Sequence, residues 1–264
     1  NPVEVKQIVL KPHESARIPF DVTHLYKGRS LADLSAAAFR TQGLENEFIR
    51  SNWGVASASK CRPVIDGKLD DWPAENFSPY LGRECLTKLK DWKGNQDFSV
   101  RYQIAADSRG ISAAIEVRDD VDYFRADPDK PWRADSIMFA IGKESDRRGG
   151  WERIHFFSVS RDQDGKTALN SLIGLPPNQK LSRIDGKDAK AAVLRNENEK
   201  TTVYEVFIPW EIVDGKVSEF GFGASIFDAD SKENVDSDNH REIFLMGGVP
   251  FFMSNALMST VKVE

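Results

Sequence analysis

Between Val64 and Val263 apolar side chains recur at every second position, the period of a strand that buries one face. Phe98, Val100, Tyr102 and Ile104 fall on one side of such a strand, with Ser99, Arg101 and Gln103 on the other. Ile111, Ala113, Ile115 and Val117 repeat the pattern, and Asp107-Ser108-Arg109-Gly110 between the runs has the chemistry of a hairpin turn. The two strands are predicted to pair antiparallel. Further strands are predicted over Ser136 to Ile141, Ile154 to Ser160, Ala191 to Arg195, Thr202 to Ile208, Phe220 to Phe227, Glu242 to Leu245 and Ser259 to Val263. Turn residues such as Asp162-Gln163-Asp164-Gly165 and Asp185-Gly186 punctuate the gaps. With little helix between the strands, the chain reads as an all-β, two-sheet antiparallel sandwich of jelly-roll or immunoglobulin-like type.

Residues 1–60 read differently. Val5 to Leu10 and Ala16 to Val22 look like two strands around Pro12-His13-Glu14-Ser15, and Leu31 to Ile49 is mixed, with Ala36-Ala37-Ala38 its clearest helix former. This stretch is expected to be a strand-and-helix appendage, or the end of a preceding immunoglobulin-like domain, ahead of a sandwich over 61–264. A start at Asn1-Pro2 suggests excision from a longer precursor.

Composition narrows the function classes. The 264 residues carry a formal net charge of −5, 40% hydrophobic and 29% charged residues, with no apolar run of membrane-spanning length. A mild acidic balance spread along the chain gives no attraction to phosphate backbones, so nucleic acid is a poor partner. Cys61 and Cys85, the two cysteines, are expected to form a disulfide if the compartment is oxidising. His13, His24, His155 and His240 are too scattered for a zinc site, and no Gly-x-Ser-x-Gly elbow or phosphate-cradling glycine loop occurs. No catalytic residues are assigned.

Four stretches then fall in a telling order. Pro63-Val64-Ile65-Asp66-Gly67-Lys68-Leu69-Asp70-Asp71-Trp72-Pro73 reads as a short strand, an Asp-Gly turn and a core tryptophan. Ile115-Glu116-Val117-Arg118-Asp119-Asp120 closes a strand on aspartate, and Pro131-Trp132-Arg133-Ala134-Asp135-Ser136 leads into another. Tyr204-Glu205-Val206-Phe207-Ile208-Pro209-Trp210 comes last, followed by Asp228-Ala229-Asp230. In this order the motifs resemble those of the family 9 carbohydrate-binding modules, over about residues 63 to 264.

The resemblance implies a non-catalytic module of a larger secreted or extracellular protein, or a periplasmic one. Such a module holds a poly- or oligosaccharide between aromatic side chains, with neighbouring domains of a longer chain as its other partners. A flat ring covers the C–H face of a pyranose while polar groups select its hydroxyls. Trp132 stands at the first aromatic position and Phe252 near the second, with Asp135, Arg133, Trp151, His155 and Asn255 as further candidate contacts. The chain departs from the pattern where sugar-reading polar residues are expected, placing Met138, Phe157, Ser225 and Val249 there. Two other readings follow from that apolar character: a structural or interaction module, or a haem-binding sandwich using Met138 and His155. Calcium, which the resemblance also implies, has candidate ligands in Asp228, Asp230 and Asp236, with Asp119, Asp120 and Asp122 as a second acidic group.

Overall fold

The computed structural model describes residues 55–83, 85–86, 92–124, 130–145, 151–162, 164–173, 180–186, 188–231, 241–246 and 258–263. The first 54 residues, and with them most of the appendage expected over 1–60, lie outside this set, as do Phe252, Asn255, Asp236 and Val249. Within it, twelve strands form two sheets. The larger, sheet A, runs β1 (Val55–Ser57), β12 (Ser259–Lys262), β10 (Glu219–Asp228), β4 (Ser136–Ser145), β5 (Trp151–Arg161), β6 (Thr167–Ile173) and β7 (Lys180–Arg183), with β11 (Arg241–Leu245) also paired to β10. The smaller, sheet B, runs β2 (Phe98–Ala106), β3 (Gly110–Asp119), β9 (Thr201–Pro209) and β8 (Lys190–Asn196). Every pairing between these strands is antiparallel except β1 with β12, so the sandwich predicted from alternation is present.

Alternation dictates the core. Phe98, Val100, Tyr102 and Ile104 from β2 meet Ile111, Ala113, Ile115 and Val117 from β3 and Tyr204, Val206 and Ile208 from β9. Opposite them, sheet A contributes Ile137, Phe139 and Ile141, Phe157 and Val159, and Phe220, Phe222, Ala224 and Ile226. Phe139 stacks on Phe157 at 5.0 Å and on Phe222 at 6.0 Å between centroids. Each such ring, fully buried, contributes about 1.5–3 kcal/mol from leaving water.

The outer face of sheet B carries the first motif. No strand forms at Val64, which is 65% exposed, so that part of the prediction fails. Instead, Cys61, Leu69, Trp72 and Phe77 pack on Ala105 and Ala114. Buried Glu205 pins the segment: Trp72 Nε1 donates to its Oε1 at 2.6 Å, and the backbone N–H groups of Asp66 and Gly67 donate to its Oε2 at 3.0 and 2.5 Å. Gly67 is required here, because its φ is +88° and an added Cβ would meet Leu194 Cβ at 2.6 Å.

One boundary and the cysteine pairing differ from the expectation. The strand Val55–Ser57 belongs to sheet A and Ser59 bridges to Ala105, so the sandwich begins before residue 61. Cys61 and Cys85 are not bonded to each other; Cys61 lies on the outer side of sheet B while Cys85 is in the core between the sheets.

Candidate functional site

Trp132 is positioned by a single 3-10 turn, Pro131–Arg133, just before β4. Pro131 supplies a fixed φ at the start of the turn. The Ser136 hydroxyl donates to the Pro131 carbonyl at 2.6 Å, tying the turn to the first residue of β4. Partly buried, the indole packs over the outer face of sheet A against Met138, Leu172 and Phe227, in company with Phe156 and Leu181.

Strand register defines what lies beneath. Ser225, Met138, Ser158, Asn170 and Arg183 form one row across β10, β4, β5, β6 and β7. Phe157 is on the opposite face, stacked in the core, so the outward position in β5 is Ser158 and not the Phe157 expected from the sequence. The shift is one residue and moves every side chain of β5 to the other face. Ser225, Met138 and Ser158 have relative exposures of 2%, 2% and 0%. Among them Ser158 is distinctive: its hydroxyl is buried and has no hydrogen-bond partner among the described residues.

Other expected contacts are elsewhere. His155 sits opposite Ile141, on the core side of sheet A, with Nε2 at 3.1 Å from Asp214 Oδ2. It is thus on the face away from Trp132, and Met138 and His155 point to opposite sides of the sheet, which removes them as joint haem ligands. Trp151 opens β5. Arg133 is half-buried within the turn that carries Trp132. Asp135 is buried, its oxygens accepting the backbone N–H of Tyr123 at 2.6 Å and of Ala229 at 2.9 Å, so it faces inward and not toward a ligand on the outer face.

Asp135 belongs to an acidic centre joining the two sheets. Oxygens of Asp119, at the end of β3, Asp135, before β4, and Asp228, at the end of β10, lie within 4.8 Å of one another, and all three residues are buried. Burial pushes the Asp119 carboxyl up to about 7, with Asp230 and Asp122 adding to the rise. Asp135 and Asp228 are pushed up too, first by burial and then by the Asp119 charge. A second trio, Asp97, Asp120 and Asp230, lies beside it. Asp228 and Asp230 therefore face different groups instead of sharing one site.

The two trios differ in what neutralises them. Arg241 donates from Nη1 to Asp97 at 2.6 Å and from Nη2 to both oxygens of Asp230 at 2.8 Å, while Lys93 stands 3.7 Å from Asp120. The Arg241 guanidinium thus serves two members of the second trio and also reaches Asp228 of the first. In the first, Asp228 Oδ2 is ion-paired to Arg241 Nε at 2.6 Å and Asp119 stands 3.9 Å from Arg195 Nη1, and among the described residues the buried Oδ1 of Asp228 has no hydrogen-bond partner, as is also true of Oδ1 of Asp97 and of Asp120 in the second. Calcium–oxygen distances of about 2.3–2.6 Å set ligand oxygens on opposite sides of the ion roughly 4.6–5.2 Å apart, so three carboxylates within that span fit the ion.

A scan of the chain against protein-family models finds no match, and no curated protein matches it. Solved structures do. The fold is similar to that of a family 9 carbohydrate-binding module from Caldicellulosiruptor kristjanssonii in complex with cellotriose, with a TM-score of 0.54 and 14% identity over 80% of this chain and 93% of that one. A family 9 module from the same organism in complex with glucose gives a TM-score of 0.54 and 14% identity over 80% of this chain and 95% of that one. The sandwich is therefore a family 9-like carbohydrate-binding-module fold.

Proposed function

We propose that this chain is a non-catalytic carbohydrate-binding module of a larger secreted protein, holding a sugar against the outer face of sheet A beneath Trp132. The observation that carries the reading is a partly exposed indole fixed over a sheet face that also contains a buried, unsatisfied hydroxyl. An aromatic plane offers a pyranose face its C–H contact, and such a hydroxyl offers its edge a hydrogen bond. The likeness to modules captured with cellotriose and glucose supports the same reading. Calorimetric titration with oligosaccharides tests it. Wild-type chain should bind in the range of weak carbohydrate recognition, and Trp132→Ala should weaken binding at least tenfold, by about 1.4 kcal/mol or more. Binding unchanged by the substitution moves the site elsewhere. No binding to any glycan favours a structural or interaction module, a role the apolar surroundings of Met138 would also suit.

Asp119, Asp135 and Asp228 are the residues that would hold calcium. When bound, the ion supplies the positive charge that lets three buried carboxylates stay ionised together. The carboxylates themselves tie β3, β4 and β10 into one end of the sandwich, the end from which the Trp132 turn is suspended.

A further inference from the structure

A saccharide held over sheet A would meet an unusual floor. Met138, Leu172 and Phe227 form its buried part, Phe156 and Leu181 its partly buried margin, and Trp132 lies across it. Ser158 is the cross-strand neighbour of Met138 and of Asn170, and none of the described residues hydrogen-bonds its buried Oγ. Leaving a hydroxyl unpaired out of water costs about 1–3 kcal/mol. The Ser158 hydroxyl is therefore a donor that a ligand reaching this face would satisfy.

The chemistry of that partner is constrained by its surroundings. An unsubstituted pyranose edge brings several hydroxyls, each needing a partner, and in the buried row beside Met138 the idle hydroxyl is that of Ser158, since Ser225 is already engaged and Asn170 lies at the half-buried margin. An acetyl substituent brings a single carbonyl acceptor beside a methyl group. Ser158 can donate to the former while Met138 and Leu172 cover the latter. We infer that the outer face of sheet A takes an acetyl-bearing saccharide, with Ser158 as its specificity-determining donor; this rests on the carbohydrate-binding reading given above. Because the Ser158 hydroxyl is shut from water, entry of the ligand has to displace a side chain of this face, and the Trp132 indole, packed on Met138, Leu172 and Phe227, is the one displaced. Asn170, half-buried next in the row, remains to read hydroxyls nearer the open side.

Calorimetric titration of the full chain with N-acetylglucosamine oligomers and acetylated xylo-oligosaccharides, alongside cello- and xylo-oligosaccharides, tests this. Acetylated ligands should bind at least tenfold more tightly than their unsubstituted counterparts. Ser158→Ala should remove roughly a tenfold preference, the worth of one such hydrogen bond, while its melting temperature stays the same or rises because an unpaired hydroxyl has gone. Trp132→Ala should abolish the tryptophan fluorescence change on binding. If unsubstituted sugars bind as well, with dependence on Trp132, the acetyl assignment is overturned and the sugar-binding reading stands. If no saccharide binds, both fall. A lowered melting temperature in Ser158→Ala would show that the hydroxyl has a structural partner, and would also overturn the assignment.

Discussion

Glu205 illustrates how one residue explains a motif. Its carboxylate is fully buried yet, among the described residues, faces no cation; it accepts one indole and two backbone N–H groups from the segment Asp66 to Trp72. Burial raises its carboxyl, and those three hydrogen bonds pull the other way. Truncation leaves three donors without an acceptor on a dry surface, each of which costs about 1–3 kcal/mol. Glu205→Ala is therefore expected to lose about 3–5 kcal/mol in urea denaturation, in the range of the largest single-residue effects. Glu205→Gln, retaining one carbonyl oxygen, should lose less. Equal and small losses for both would mean that packing of Trp72 and Leu69 alone holds the segment. That Trp72 is core was legible in the sequence from its apolar setting. Its acidic partner was not, because 138 residues separate Glu205 from Gly67 and only the fold brings them together.

At the scale of elements, legibility followed burial. Strands β2, β3, β9 and β10 alternate clearly, and the sheets contain them where alternation predicted. β6 was missed because Leu169 faces the core while Ala168 and Leu172 are buried on the other face, which erases the contrast between the two sides. The four-residue edge strand β7 is too short to show a period. In β5 the adjacent Phe156 and Phe157 made the phase ambiguous, and Val159 in the core fixes it. The phase has a direct check. Phe157→Ala should cost about 3–5 kcal/mol as a large-to-small core change, and Phe156→Ala distinctly less because the ring is only partly buried. The reverse order in equilibrium unfolding would return Phe157 to the outer face. Each acidic motif was likewise visible in the sequence, but the convergence of Asp119, Asp135 and Asp228 required three strand ends to meet.

That convergence acts on the molecule as a whole, since it links sheet B to sheet A. All three carboxyls are pushed up by burial, and Asp119 in addition faces Asp122, Asp230 and Arg195, while the centre is further lined by Arg161, Tyr204 and Arg241. An unfolded aspartate titrates near 3.9, whereas Asp119 is pushed up to about 7 in the folded chain. Between those values the folded state holds a proton that the unfolded state has shed, so the contribution of Asp119 is fully present below about pH 4 and is lost as pH rises through about 7, and the raised Asp135 and Asp228 act in the same direction. The metal-free protein should melt several degrees higher at pH 5 than at pH 7.5, at roughly 2–4 °C for each kcal/mol. Calcium should restore the loss at pH 7.5 and do little at pH 5, and Asp119→Asn should flatten the profile. A slope of opposite sign, or one unchanged by Asp119→Asn, would place the titration elsewhere.

The parallel pairing of β1 with β12 has a mechanical corollary. The chain enters the described sandwich at Val55 and leaves it after Lys262, along adjacent strands that run in the same direction. Tension applied through the two flanking stretches would drag these strands past each other lengthwise, loading their ladder of bonds together instead of peeling it rung by rung. Resistance to such a pull is set by the rate of unfolding and not by equilibrium stability, so a sandwich of ordinary thermal stability would still act as a stiff link under load.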